Sequence, residues 1–174
     1  VRPHSPVFGK PAARVTIVEF FDPSCETCRA FYPVVKSIVN ASFGQVRLVV
    51  RYAPLHQGSD QAIKILEAAR LQGKYWQALE KTLAAQPRWA AHHNPQPQLI
   101  WEAIGDIGLD VAKAKGDANS PAIDQALRQD VADMNALKVT RTPGFFVNGT
   151  PLRDFGEAQL KTLVQQETAK AKTP

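Results

Sequence analysis

Cysteine and methionine are scarce in these 174 residues, which hold two of the first and one of the second, Met134. Two thiols exclude a disulfide framework, because no bridge can form except within the pair or between two chains. Long apolar runs are missing as well. The stretch Val46–Val50, itself interrupted by Arg47, falls far short of the roughly 20 apolar residues that a membrane span needs. Lys and Arg outnumber Asp and Glu by 21 to 16, but they never gather into a run. The basic stripe of a nucleic-acid-binding surface is therefore absent, and no nucleic-acid partner is expected. No signal peptide stands at Val1. The expectation is that none exists or that the chain starts after its cleavage. Repeats and low-complexity tracts are also lacking.

What remains is enough to bury a core, since 44% of the residues are hydrophobic against 21% charged. The length suits one domain, or one domain with a large insertion. The two cysteines are Cys25 and Cys28, in the order Cys25-Glu26-Thr27-Cys28. A disulfide closing so short a loop removes little chain entropy, so the pair is better explained by chemistry than by stapling. Half of a zinc site is the competing explanation. It lacks further ligands, because His4, His56, His92 and His93 show no paired spacing to supply them, and neither metal nor cofactor is expected.

The surrounding pattern places the motif. Val1–Ala12, with three prolines and a glycine, reads as an extended lead-in. Val15–Phe21 (VTIVEFF) is β-branched and aromatic on both faces, as in a strand buried on both sides. Asp22, Pro23 and Ser24 break it, and Cys25 opens a helical pattern to about Val39, with Pro33 inside it expected to kink the helix. A second strand covers Val46–Tyr52. This is a βαβ unit with the cysteines at the carboxyl edge of the sheet, where α/β proteins place their chemistry. Residues 59–137 read as helical: Ser59 and Asp60 cap a helix to Gln72 with Gly73 as its stop, and another spans Lys74–Ala85. A loop follows at Arg88–Pro97, then short helices at Leu99–Ile104 and Val111–Lys115, and a helix opened by Ser120-Pro121 that runs to Leu137. Trp76, Trp89 and Trp101 read as core and helix-packing residues. Phe145–Val147 is a short strand, Asn148-Gly149 a hairpin turn, and Pro151–Phe155 a returning strand. Glu157 to about Lys170 closes the chain as a helix with Leu160, Leu163 and Val164 on one face.

At a helix start, Cys25 lies beside unpaired N–H groups and the positive end of the helix dipole, which favour the attacking thiolate. Cys28, one turn inward, is placed to resolve a mixed disulfide at Cys25. The run VEFFDPSCETCRAFYP followed by RTPGFFVNG resembles the DsbA-like branch of the thioredoxin superfamily over nearly the whole chain. That resemblance implies an α/β thioredoxin fold (βαβ then ββα), with residues 1–58 and 138–174 forming the thioredoxin-like domain and 59–137 an inserted helical domain. It implies a protein thiol:disulfide oxidoreductase in the bacterial periplasm. Its partners would be protein thiols and disulfides and a membrane redox partner that regenerates the cysteines. Thr142-Pro143 matches the family's cis-proline loop, which with Arg141 offers backbone to an extended substrate. A proline lacks the N–H of a ladder, so Pro143 also marks an edge. Glu19 matches the family's buried acid beneath the active site. Burial there raises a carboxyl pKa, which suits it to handle the proton of Cys28. Glu26 and Thr27 depart from the Pro-His of strongly oxidising members, leaving no imidazolium between the cysteines and a like charge beside Cys25. They therefore predict modest oxidising power. His56 reads as a solvent-exposed loop residue, and His92 and His93 as surface residues.

Two other classes compete. A copper-handling module could use the cysteine pair with a histidine, but there is one methionine and no histidine near the motif. A non-catalytic interaction domain would not need the intact pair with its acid and proline. Within the redox class the leading reading is a monomeric dithiol oxidase, with a reductase or isomerase as the alternative. Dedicated periplasmic isomerases resemble thioredoxin domains carried on a separate dimerisation domain. Only fourteen proline-rich residues precede Val15, and no long heptad seam is visible.

Overall fold

The computed structural model describes residues 1–171; the final three residues of the segment assigned above to the thioredoxin-like domain lie outside it. In chain order the elements are β1 (Val7–Phe8), β2 (Val15–Phe21), α1 (Glu26–Ala41), β3 (Val46–Tyr52), α2 (Ser59–Leu71), α3 (Tyr75–Ala84), α4 (Gln86–Trp89), a 3-10 turn (Pro97–Leu99), α5 (Ile100–Ala103), α6 (Val111–Asp117), α7 (Pro121–Ala136), β4 (Gly144–Val147), β5 (Thr150–Pro151) and α8 (Glu157–Lys170). They fall into two compact units. One comprises Val1–Phe21, Thr27–Arg51 and the chain from Arg141 onward; the other comprises Asp22–Glu26 and Tyr52–Thr140. The helical unit thus takes in residues 22–26, 52–58 and 138–140, which the division expected from the sequence places in the thioredoxin-like part. The reason is local. The carboxylate of Asp22 and the amide of Gln86 bind that turn and the loop after β3, as described below.

The first unit is built on a five-stranded sheet in the order β1-β3-β2-β4-β5, with β1 antiparallel to β3, β2 to β4 and β4 to β5. Val15 and Ile17 on β2 and Leu48 on β3 have no exposed surface, and each such side chain contributes roughly 1.5–3 kcal/mol through burial. α1 buries Cys28, Tyr32, Val35 and Val39, a three-and-four spacing that keeps one helical face inward. α8 lies against β2 and β4 and buries Leu160 and Val164. The Asn148-Gly149 turn has positive φ at both residues (47° and 86°), the geometry of a tight two-residue hairpin.

The helical unit is arranged around α2, whose Ala62, Ile63, Ile65, Leu66, Ala68 and Ala69 are buried and which touches α3, α5, α6 and α7. Trp89 is wholly buried and its indole N–H donates to the Thr82 carbonyl at 2.8 Å. Trp76 and Trp101 are half-buried, the first edge-on to Tyr75 and the second beneath the ammonium of Lys115. The Tyr52 hydroxyl donates to Glu67 Oε1 at 2.7 Å and lies 3.0 Å from the Tyr75 hydroxyl. Burial pushes this hydroxyl well above its ordinary pKa, and the neighbouring Glu67 and Tyr75 add to the shift.

Four local expectations are corrected. The lead-in contains a strand, β1, whose two residues are too few for any periodicity to reveal. The loop at 88–97 begins later than its composition indicates, because Gln86–Trp89 forms a turn of helix with Pro87 near its start. The returning strand is only Thr150–Pro151, since Pro151 brings no N–H to the ladder, and Phe155, expected within it, packs on Phe31 instead, ring centroids 4.4 Å apart. Ser59 is the first residue of α2, with Gly58 at φ 81° as its cap, and its hydroxyl is used elsewhere.

Candidate active site

The redox motif follows from how α1 begins. Glu26 is the first helical residue, so Cys25 stands immediately ahead of the helix and Cys28 lies in its first turn. The first N–H groups of a helix have no partner within it, and they carry the positive end of the macrodipole. Both cysteines are buried. Cys25 retains 6% of its surface and Cys28 none, so the first is the one that an incoming sulfur can reach.

The turn ahead of the helix is held by side chains of its own unit. Asp22 is fully buried and accepts from the Ser24 N–H at 2.8 Å, the Asx turn favoured by an aspartate two residues before a serine. Its other oxygen accepts from the N–H groups of Leu55 (2.8 Å) and His56 (3.0 Å) and lies 2.7 Å from His56 Nδ1. The Ser59 hydroxyl bonds Asp22 Oδ1 and lies 2.8 Å from the Ser24 hydroxyl. Gln86, 1% exposed, donates from Nε2 to the carbonyls of Pro23 (2.8 Å) and Cys25 (3.0 Å).

Two of the histidines have partners that their sequence reading did not give them. His56 is indeed part-exposed, with 44% of its side chain open, but it is also tethered to buried Asp22. His92 is a surface residue, yet its Nε2 lies 3.7 Å from Glu26 Oε1, with side chains 72% and 68% exposed. The charge inside the motif therefore has an imidazole beside it, although none lies between the cysteines.

In the sheet unit, Glu19 is 1% exposed on β2 and pairs in register with Phe145 of β4. Two residues before Phe145 stands Pro143, buried, joined to half-buried Thr142 by a cis bond, with Arg141 exposed. Pro143 does not mark an edge strand. β4 lies between β2 and β5, and Pro143 precedes the first ladder pair, Phe20 with Gly144, so its missing N–H costs no ladder bond. Phe31, one turn beyond Cys28, contacts Phe145 and Phe155. Among the described residues no group of three His, Cys, Asp or Glu side chains is placed to hold a metal ion.

Sequence reasoning missed the supports of the cysteine turn. Asp22 was legible as an Asx-turn former in the run Asp22-Pro23-Ser24. Gln86 carried no signal, since its partners are backbone carbonyls some sixty residues away.

The thioredoxin family model matches residues 2–166, and the chain belongs to the thioredoxin family. The solved structure of a thioredoxin-like oxidoreductase from Silicibacter pomeroyi DSS-3 is similar at 30% identity, covering 99% of this chain and 95% of that one, with a TM-score of 0.82. Pseudomonas aeruginosa DsbA2 shares the fold, at 22% identity, full coverage of both chains and a TM-score of 0.80. The architecture is thus the thioredoxin fold with a helical insertion that DsbA proteins carry. The Na(+)/H(+) antiporter NhaA of Herminiimonas arsenicoxydans is 34% identical over 157 residues, or 90% of this chain. The chain spans about a quarter (24%) of that antiporter's length.

Proposed function

We propose that the chain exchanges a Cys25–Cys28 disulfide with protein thiols, as a periplasmic dithiol oxidase of modest oxidising power. The observation that carries this is the pair of buried cysteines, one just ahead of α1 and the other in its first turn. In the oxidising direction a substrate thiolate attacks Sγ of Cys25, the Cys25–Cys28 bond breaks, and Cys28 leaves as a thiolate. A second substrate thiolate then attacks the substrate sulfur of the mixed disulfide and displaces Cys25. The substrate loses two electrons and two protons, and the cysteine pair gains them. A membrane redox partner then removes them again. Glu19 returns or accepts the proton at Cys28. Arg141, Thr142 and Pro143 present backbone to an extended substrate, and Glu26 and Thr27 tune the thiolate. The same residues run in reverse for a reductase, so the potential decides between the two.

The test is insulin reduction by dithiothreitol with the wild-type chain, Cys25→Ser and Cys28→Ser. The wild type accelerates it, Cys25→Ser abolishes the acceleration, and Cys28→Ser accumulates mixed disulfides. Full activity in Cys25→Ser would remove this reading, because no third cysteine exists. Equilibration with glutathione buffers then ranks oxidase against reductase.

The antiporter relatives favour a second reading, in which the same thiol pair serves a membrane ion exchanger. Exchange with unrelated unfolded thiol proteins supports the first reading, and exchange confined to cysteines of such a transporter supports the second.

A further inference from the structure

The geometry points to Gln86 as a positioning residue for the Cys25 thiol, acting through the peptide groups that flank it. The inference rests on the redox reading above and names a residue that the reaction itself does not touch.

Consider the polar backbone groups around Cys25. The Cys25 N–H donates to the Asp22 carbonyl at 3.1 Å, and the Ser24 N–H donates to the Asp22 carboxylate at 2.8 Å. The carbonyls of Pro23 and Cys25 both accept from the single amide nitrogen of Gln86. Four backbone groups on either side of the nucleophile are therefore fixed, two by Asp22 and two by Gln86. In a trans peptide the C=O and the following N–H point in opposite directions. Holding the Cys25 carbonyl on Gln86 consequently aims the Glu26 N–H the other way, along with the other unpaired donors at the start of α1. A carbonyl that accepts a hydrogen bond also polarises its own peptide, which makes that N–H a stronger donor.

Gln86 itself is oriented for this task. It is buried, it sits at the start of α4, and its Oε1 finds no donor among the described residues. The two carbonyls alone decide which end of the amide faces the turn, since only the nitrogen can donate to both. The neighbouring Trp89 holds the corner between α3 and α4, where its indole N–H is given to the Thr82 carbonyl and not to a carbonyl of the turn. Support of the corner and support of the thiol are thus separable in one short helix.

The experiment compares the wild-type chain with Gln86→Met, Gln86→Asn and Trp89→Phe. Thiolate absorbance gives the Cys25 titration, glutathione equilibration the potential, and urea unfolding the stability. Gln86→Met, of similar length but without a donor, should move the Cys25 titration toward that of a free thiol. It should also make the pair less oxidising by about tenfold in the glutathione equilibrium constant, or about 30 mV. Gln86→Asn keeps the amide but is one methylene too short for both carbonyls, and should shift both readings less, in the same direction. Trp89→Phe should lower stability and leave both readings at the wild-type values. Folded Gln86 variants with unchanged titration and potential would overturn the inference, as would a Trp89→Phe shift equal to theirs. If the wild type never equilibrates with glutathione, the redox reading fails, while the thiolate titration still decides the role of Gln86.

Discussion

Glu26 shows how a single residue inside the motif can count for less than its position indicates. Its carboxylate adjoins Cys25 in the chain, and like charge opposes thiolate formation. The side chain is nevertheless 68% exposed and faces His92, so water and imidazole both weaken its effect. Glu26→Gln should therefore lower the Cys25 pKa by only a fraction of a unit and make the protein slightly more oxidising. His92→Ala should act in the opposite direction by a similarly small amount. Titration of thiolate absorbance in the two variants measures both, and a raised pKa in Glu26→Gln would contradict the electrostatic account. The placement of the cysteines at a helix start, of Glu19 on a buried strand and of Pro143 just ahead of a strand was legible in the sequence, because each stands in a local pattern of strand, turn or helix start. Gln86 and the Glu26–His92 pair were not, since they join residues tens of positions apart and leave no periodic trace.

At the scale of elements, the end of β3 and the helix α2 share the buried group around Tyr52. Its hydroxyl serves Glu67, which also accepts from Arg70 Nε at 2.7 Å. Removing the hydroxyl leaves a buried carboxylate oxygen short of a donor, so Tyr52→Phe should cost about 1–3 kcal/mol. The pH dependence follows from the raised folded pKa. Below the unfolded value near 10 the favourable protonated form is fully present, and its contribution is lost as pH rises through the folded pKa. Wild-type stability should thus fall above about pH 10, and Tyr52→Phe should fall less steeply there. Denaturant unfolding at several alkaline pH values checks this, and parallel slopes would refute it. Strong composition made β2, α1, β3, α2, α7 and α8 readable. The short elements β1, α4 and β5 were set by partners rather than by their own residues, Val7 and Phe8 by Val49 and Leu48 across the sheet, for instance.

For the whole molecule, the division into oxidase, reductase or isomerase turns partly on self-association. The exposed large hydrophobic residues are Val1, Val7, Phe43, Leu55, Leu71, Leu137 and Phe155. They belong to loops, termini and element ends, and among the described residues none recurs along a helix as a dimer seam requires. The chain should sediment as a monomer and recover little activity from scrambled ribonuclease. A stable dimer with strong isomerase activity would overturn this choice and leave the cysteine chemistry standing.

The brace on the Cys25 turn exists only in the folded chain, and that ties two quantities usually measured apart. Reduced and oxidised, folded and unfolded forms make a closed thermodynamic cycle. Any preference of the folded turn for the dithiol must therefore reappear as extra folding stability of the reduced form over the oxidised one. For a two-electron couple the exchange rate is about 1.4 kcal/mol for every 30 mV. If the two hydrogen bonds from Gln86 act on the thiol as proposed, a change in potential on replacing Gln86 must come with an equal change in the stability difference between the reduced and oxidised forms.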